Sequence, residues 1–333
     1  MAKTHEPAPV RVAAVQAAPV FLDPSATLER MLAHIDEAAE REIELLAWPE
    51  TYLPGYPTWL STTGGARFDD ADQKAAYAQY LAAAVRPSGR ELQALIERSA
   101  QRGIALVVGL VERGEGPASG SVWCSAATID PRRGLLGIHR KLMPTWEERL
   151  VWAIGDGAGL RVHTLELPRA GRVPISVLNC WENWMPQARL ALWAQAPAIH
   201  VALWPGSARL TRDITRFIAL EARCFVISAS GQLGREDLGD FVLREELGVG
   251  PFQTGGSAIA SPRGEWLVPP AEGAGLIEAE LDLAEVDRER HNLDVAGHYG
   301  RADVFQFTVD RRRPRTASFV DEHATLDPGE PRK

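Results

Sequence analysis

Strand-length apolar runs alternate along the chain with longer stretches of helical periodicity. Residues 11–17 (RVAAVQA), 43–47 (IELLA) and 104–111 (IALVVGLV) are short and mostly apolar, which predicts buried strands. Between the first two, Leu28, Met31, Leu32, Ile35, Ala38 and Ala39 recur at three- and four-residue intervals behind two candidate N-caps, Asp23 and Ser25. That spacing predicts an amphipathic helix. Further on, 173–178, 198–203 and 225–230 read as strands, separated by helical stretches around 188–194 and over 211–223. Two more strands are expected at 257–261 and 275–281, the first closed by a turn at 262–264, and a helix at 283–291 follows. Strand and helix signals in alternation argue a layered α/β fold.

Composition narrows the function classes. The 333 residues are 45% hydrophobic and 24% charged, ordinary globular proportions that allow a sizeable core without staples. A formal net charge of -8 has the wrong sign for a phosphate-backbone binder, so no nucleic-acid partner is expected. Three cysteines, Cys124, Cys180 and Cys224, are odd in number and widely spaced, which fits neither a disulfide framework nor a zinc site and points to a reducing compartment. The polar first nine residues do not read as a signal peptide, and the most apolar stretch, 190–206, is broken by Gln195, Pro197 and His200. The expectation is a cytoplasmic protein with no membrane partner. An arginine-rich, proline-containing tail from Arg311 is expected to be solvated.

Motifs exclude more than they suggest. G-x-S-x-G, the P-loop and H-E-x-x-H are absent, and the glycine-rich stretch 248–256 (GVGPFQTGG) does not match G-x-G-x-x-G and reads as a loop. The eight histidines lack metal-ligand spacing, so neither metal nor cofactor is implied, and His200, inside an apolar strand, reads as a satisfied core residue. Three strand exits carry chemistry. Cys180 ends the run VPISVLNC; Glu50 follows the strand at 43–47; Lys141 closes a stretch that turns at 131–134 and returns to His139. Reactive groups collect at the carboxyl ends of strands in α/β sheets, so a thiol, a carboxylate and an ammonium are candidates to converge. Each also has a bland reading, as a buried small residue, a turn acceptor or a surface charge. Cys124 and Cys224 fit the core.

Seven blocks change those odds. Residues 48–59 (WPETYLPGYPTW), 139–157 (HRKLMPTWEERLVWAIGDG), 178–186 (LNCWENWMP), 200–206 (HVALWPG), 219–230 (ALEARCFVISAS), 255–267 (GGSAIASPRGEWL) and 294–305 (DVAGHYGRADVF) resemble, in order, the signature blocks of the nitrilase superfamily. The resemblance implies a four-layer α-β-β-α sandwich and a Glu50–Lys141–Cys180 triad, with Glu148 rather than Glu147 as the second glutamate. It also implies assembly into homo-oligomers. Trp181 directly after the cysteine, Pro-Gly-Tyr-Pro after Glu50 and His298-Tyr299 are similar to the true nitrilase branch, whose substrates are small organic nitriles. Trp48, Gln187 and Ala302-Asp303 depart from its pattern and bear on substrate preference.

The expected organisation is residues 1–10 as a flexible N-terminus, 11–310 as one carbon-nitrogen hydrolase domain, and 311–333 as a tail that is loosely ordered or at an oligomer interface. A nitrile carbon is weakly electrophilic, which suits a thiolate, and aromatic neighbours suit an apolar ligand; Tyr56, Trp146 and Trp181 are the expected pocket residues. An amidase, carbamoyl hydrolase or cyanide-hydrolysing enzyme would use the same triad, and a scaffold on this fold would use none of it.

Overall fold

The computed structural model describes residues 9–314 and residue 317. The strands are β1 (Val10–Gln16), β2 (Leu45–Ala47), β3 (Ala105–Arg113), β4 (Val122–Asp130), β5 (Gly134–Arg140), β6 (His163–Leu167), β7 (Gly171–Asn179), β8 (Ile199–Trp204), β9 (Phe225–Ser230), β10 (Gln232–Leu233), β11 (Gln253–Thr254), β12 (Ala258–Ala260), β13 (Trp266–Val268) and β14 (Gly275–Leu281). The helices are α1 (Pro24–Glu40), α2 (Ala71–Ala83), α3 (Arg90–Arg102), α4 (Pro186–Trp193), α5 (Ala208–Ala222) and α6 (Ala284–Arg290). Of the two candidate caps for α1, Asp23 takes the position, its carboxylate accepting from Ala26 N at 2.9 Å.

Two six-stranded sheets carry the architecture, in the orders β14-β1-β2-β3-β4-β5 and β13-β12-β9-β8-β7-β6. Each is built on a parallel trio, β1-β2-β3 in one and β7-β8-β9 in the other, with antiparallel strands on both flanks. Alternate residues of the trios part to two faces. Val12, Ala14, Leu45, Ala47 and Val107 meet Val177, Val201, Leu203 and Ile227 in a core between the sheets. Ala13, Val15, Leu46, Leu106 and Val108 face the other way, against Met31 and Ile35 of α1 and Leu92 and Leu95 of α3. The second sheet likewise turns Leu178, Ala202 and Val226 toward α4 and α5. The layers are helix, sheet, sheet, helix, the four-layer sandwich.

Several elements carry weaker sequence signals. The pair α2 and α3 fills the chain between β2 and β3; α2 is alanine-rich with few large apolar residues to mark a face. Strands β6 and β13 lie at the edge of the second sheet, where burial on one side leaves a mixed pattern. Residues 1–8, and the tail apart from 311–314 and 317, lie outside the described residues. At the start of that tail Arg313 donates to Ile138 O (3.2 Å) and pairs with Asp156 (3.2 Å). No helix among the described residues is long and apolar enough to cross a membrane.

Candidate active site

Three strand exits from two sheets meet at one end of the sandwich. Beyond β2 the chain is held by Trp48 N donating to Val107 O (2.9 Å) and by Glu50 N donating to Trp204 O (3.3 Å), a bond across to the second sheet. Gly109 of β3 makes this approach feasible, because a Cβ there would stand 1.9 Å from Pro49 O and 2.8 Å from Glu50 Cα. Lys141 follows β5 directly, its N–H bonded to Cys124 O (2.8 Å) and its carbonyl to Gly155 N (3.0 Å). Cys180 follows β7 on a tight turn with φ of 50°, a left-handed conformation uncommon outside glycine.

The side chains converge. Lys141 Nζ donates to Glu50 Oε1 (2.7 Å) and to Glu148 Oε2 (2.6 Å), and all three are buried. Potential ligand atoms of Glu50, Glu148 and Cys180 lie within 4.8 Å of one another. That donor set would suit a cation, but the ammonium already sits between the carboxylates, which fits proton transfer at a thiol better than metal binding. Glu148 Oε1 accepts from Tyr56 Oη (2.9 Å), and Glu148 Oε2 also accepts from Thr145 N (2.5 Å) at the start of its own turn. These contacts distinguish Glu148 from Glu147; both line a cavity of about 140 Å³ together with Tyr56, Thr58, Leu60 and Phe252. Trp146 and Trp181 do not line that cavity; their side chains are 75% and 50% exposed.

Burial sets the proton affinities. It pushes the Glu50 carboxyl up to about 7 despite the opposing pull of Lys141, and Glu148 adds to the rise. Burial and Glu50 hold the Cys180 thiol well above its ordinary value, against Lys141 and the Trp181 N–H that bonds the sulfur. For Lys141, burial opposes the charge, but Cys180, Glu50 and Glu148 outweigh it and keep the ammonium protonated. With its value near 7, a share of Glu50 is ionised at neutral pH, and that carboxylate can accept the proton of a neighbouring thiol. Glu50 Oε2 is buried without a hydrogen-bond partner among the described residues, while Oε1 is occupied by Lys141 and Cys124.

Sequence reasoning missed several neighbours. Cys124 is a core residue, as expected, but its thiol also donates to Glu50 Oε1 (3.0 Å). A second chain of bonds supports the cysteine turn. Ser176 Oγ bonds His200 Nδ1 (2.8 Å), His200 Nε2 bonds Asn183 Oδ1 (2.8 Å), and Asn183 Nδ2 donates to Cys180 O (2.9 Å). Burial lowers His200 to about 3, so the ring stays neutral and its Nε2–H is the donor to Asn183. Asn183 lies in the WENW block, but nothing in that string names its partner.

Comparison with known proteins gives the family. The family model described as carbon-nitrogen hydrolase matches residues 11–290. The chain is 38% identical over 311 residues to "Nitrilase 2" of an unknown prokaryotic organism, covering 92% of this chain and 94% of that one. It is 36% identical over 314 residues to "Aliphatic nitrilase" of Sinorhizobium fredii (92% and 97%), and 37% identical over 326 residues to "Bifunctional nitrilase/nitrile hydratase NIT4" of Oryza sativa (94% and 87%). In fold it is similar to Saccharomyces cerevisiae Nit3, of the nitrilase superfamily, with a TM-score of 0.67 at 17% identity over 88% of this chain and 97% of that one. Matched over most of its length by the family model, and by relatives above 30% identity, the chain belongs to the carbon-nitrogen hydrolase family.

Proposed function

We propose that this chain is a nitrilase, hydrolysing an organic nitrile to the carboxylic acid and ammonia through a covalent intermediate on Cys180. The observation that carries the reading is the buried Glu50–Lys141–Glu148 cluster beside the Cys180 thiol at the junction of both sheets. The nitrilase names of the relatives support the substrate class. Glu50 removes the thiol proton and Cys180 Sγ bonds to the nitrile carbon. Charge growing on nitrogen meets the Lys141 ammonium and the Trp181 N–H, and protonation gives a thioimidate. Water, deprotonated by Glu50, adds to the carbon; ammonia leaves and a thioester remains. A second water releases the acid and restores the thiol. Glu148 holds Lys141 in place, and Tyr56 holds Glu148. Trp146 and Trp181, next in the chain to Thr145 and Cys180, offer exposed aromatic surface on which an apolar substituent would rest.

The rice relative's bifunctional name favours a second product. If the tetrahedral intermediate expels the thiolate instead of ammonia, the amide leaves. The same reading takes residues 11–310 as one domain that assembles into homo-oligomers, within a reducing compartment consistent with three free cysteines. Ammonia, acid and amide release from aliphatic, aromatic and arylacetic nitriles, their amides and cyanide tests it. Nitrile turnover that disappears in Cys180→Ala is the expected result. Turnover of amides alone would remove the nitrilase assignment while keeping the triad.

A further inference from the structure

One buried carboxylate near the reacting groups has no part in the chemistry above. Glu182, two residues after Cys180, is buried, and its carboxylate bonds His139 and Leu142 at the exit of β5 in the first sheet. Its Oε2 accepts from Asn179 N (2.9 Å), the residue before Cys180. Its Oε1 accepts from the backbone N–H of Leu142, the residue after Lys141. His139 Nε2 bonds both oxygens, at 2.9 Å and 3.2 Å, and since a carboxylate only accepts, that nitrogen carries the proton. One side chain therefore bonds the backbone immediately preceding the thiol and immediately following the ammonium, though these lie on different sheets.

We propose that Glu182 is a positioning residue, a clamp with His139 that fixes the distance between Lys141 and Cys180 by holding the exits of β5 and β7 together. It touches neither the substrate nor the reacting atoms. Its effect passes through backbone placement, and the proposal rests on the roles given above to Lys141 and Cys180. Among the described residues the two exits are not paired in one sheet: β5 is the edge of one sheet, and β7 lies inside the other. The left-handed turn at Cys180 is also braced by the bond from Asn179 N to Glu182, alongside the Asn183 bond to Cys180 O. A neutral amide in this place would fail, because Gln presents an NH2 toward donors on every side.

The test compares Glu182→Gln with Glu44→Gln. Glu44 is also buried and also joins the sheets through backbone amides, Arg169 N (2.7 Å) and Ala170 N (3.4 Å), but at the opposite end of the strands. For the nitrile turned over fastest, Glu182→Gln should lower kcat about 100-fold with KM within about threefold, the effect expected of a misplacement near 1 Å. Glu44→Gln should lose similar thermal stability and keep its kcat. Site-mapped alkylation of Cys180 by iodoacetamide should slow about tenfold in Glu182→Gln only, through a less well placed Glu50.

A kcat within threefold of the parent overturns the clamp, as does a loss of kcat that tracks stability equally in both variants. If Glu182→Gln does not fold, Glu182→Asp decides. Its carboxylate keeps the local Asn179 bond but draws back from Leu142, so kcat should fall about tenfold and an unchanged kcat overturns the proposal. Should the parent turn over no nitrile, the nitrilase reading fails on its own, and the alkylation comparison still judges the clamp.

Discussion

The two ends of the sandwich use the same device for different purposes. At the amino ends of β2 and β7, Glu44 bonds the amides of the turn between β6 and β7 and closes the sheets against each other. At the carboxyl ends, Glu182 does this across β5 and β7, but beside it lie groups with hydrogen-bond capacity unspent among the described residues: Trp48 Nε1, Glu50 Oε2, Thr51 Oγ1 and Trp204 Nε1. Leaving a buried polar atom unpaired costs roughly 1–3 kcal/mol. The amino end also holds one such atom, Glu44 Oε2, so the ends differ in what lies beside them: only at the carboxyl end do unpaired atoms stand next to a thiol and an ammonium, where a substrate and water could meet them.

The comparison breaks most sharply at the nucleophile. Cys180→Ala should reduce ammonia release by at least about 10⁴-fold, since nucleophile and base act as a unit. Its melting temperature should change little, because a buried thiol replaced by methyl removes little packing. Lys141→Met should lower kcat about 10³-fold, the loss expected when a charge stabiliser is removed. Unlike Cys180→Ala it should also destabilise the chain by roughly 3–5 kcal/mol, as Glu50 and Glu148 are left buried without the ammonium between them. Denaturant unfolding beside the activity assay separates the two variants. A Lys141→Met protein as stable and active as the parent would dissolve the distinction between the ends.

Glu50 gives a smaller, pH-dependent effect. With its carboxyl raised to about 7, kcat/KM should climb as pH passes through that value and the base ionises. Stability should run the other way. A carboxyl that binds its proton more tightly folded than unfolded stabilises fully below the unfolded value, 4.5, and that contribution, on the order of 3 kcal/mol, is lost as pH rises to about 7. Unfolding free energies of the parent and Glu50→Gln, followed from pH 4 to 8, should diverge with this sign. Parallel curves would mean that the carboxyl titrates in its ordinary range.

Much of the active end was legible because it is built from strand exits, and an apolar run followed by a charged residue is visible in a linear sequence. Glu50 and Lys141 stand in that position, and the ordered blocks added Glu148. What was hidden lies in pairings across the two sheets. Strand β1 is buried on both faces, so VRVAAVQ reads the same whether one sheet or two is present. Cys124 touches Glu50 only because β4 runs beside β3, a register its apolar neighbours do not announce. Glu182 and Glu44 look like ordinary acidic residues, and their partners lie 40 and 125 residues away in the chain. Helix α3 has periodic Leu92 and Leu95, but the chain from β2 to β3 was occupied by more conspicuous aromatic and glycine signals.

The last test asks whether the closed end matters to the chemistry at all. Glu44→Gln replaces an oxygen that accepts from Arg169 N with an amide that satisfies that donor in one rotamer only, and it weakens the 3.7 Å pairing with the Arg169 side chain. A loss of about 1–2 kcal/mol is expected, less than for a fully unpaired charge because Gln retains one acceptor oxygen. The bonds lie at the amino ends of β2 and β7, whereas Glu50, Lys141 and Cys180 all leave carboxyl ends, so kcat and KM should stay within about twofold of the parent, as for sites without shared partners. A lowered melting temperature with unchanged kinetics keeps the ends independent. If kcat instead falls in step with stability, the inner core between the sheets transmits strain along β2 and β7, and the positioning assigned to Glu182 is overturned.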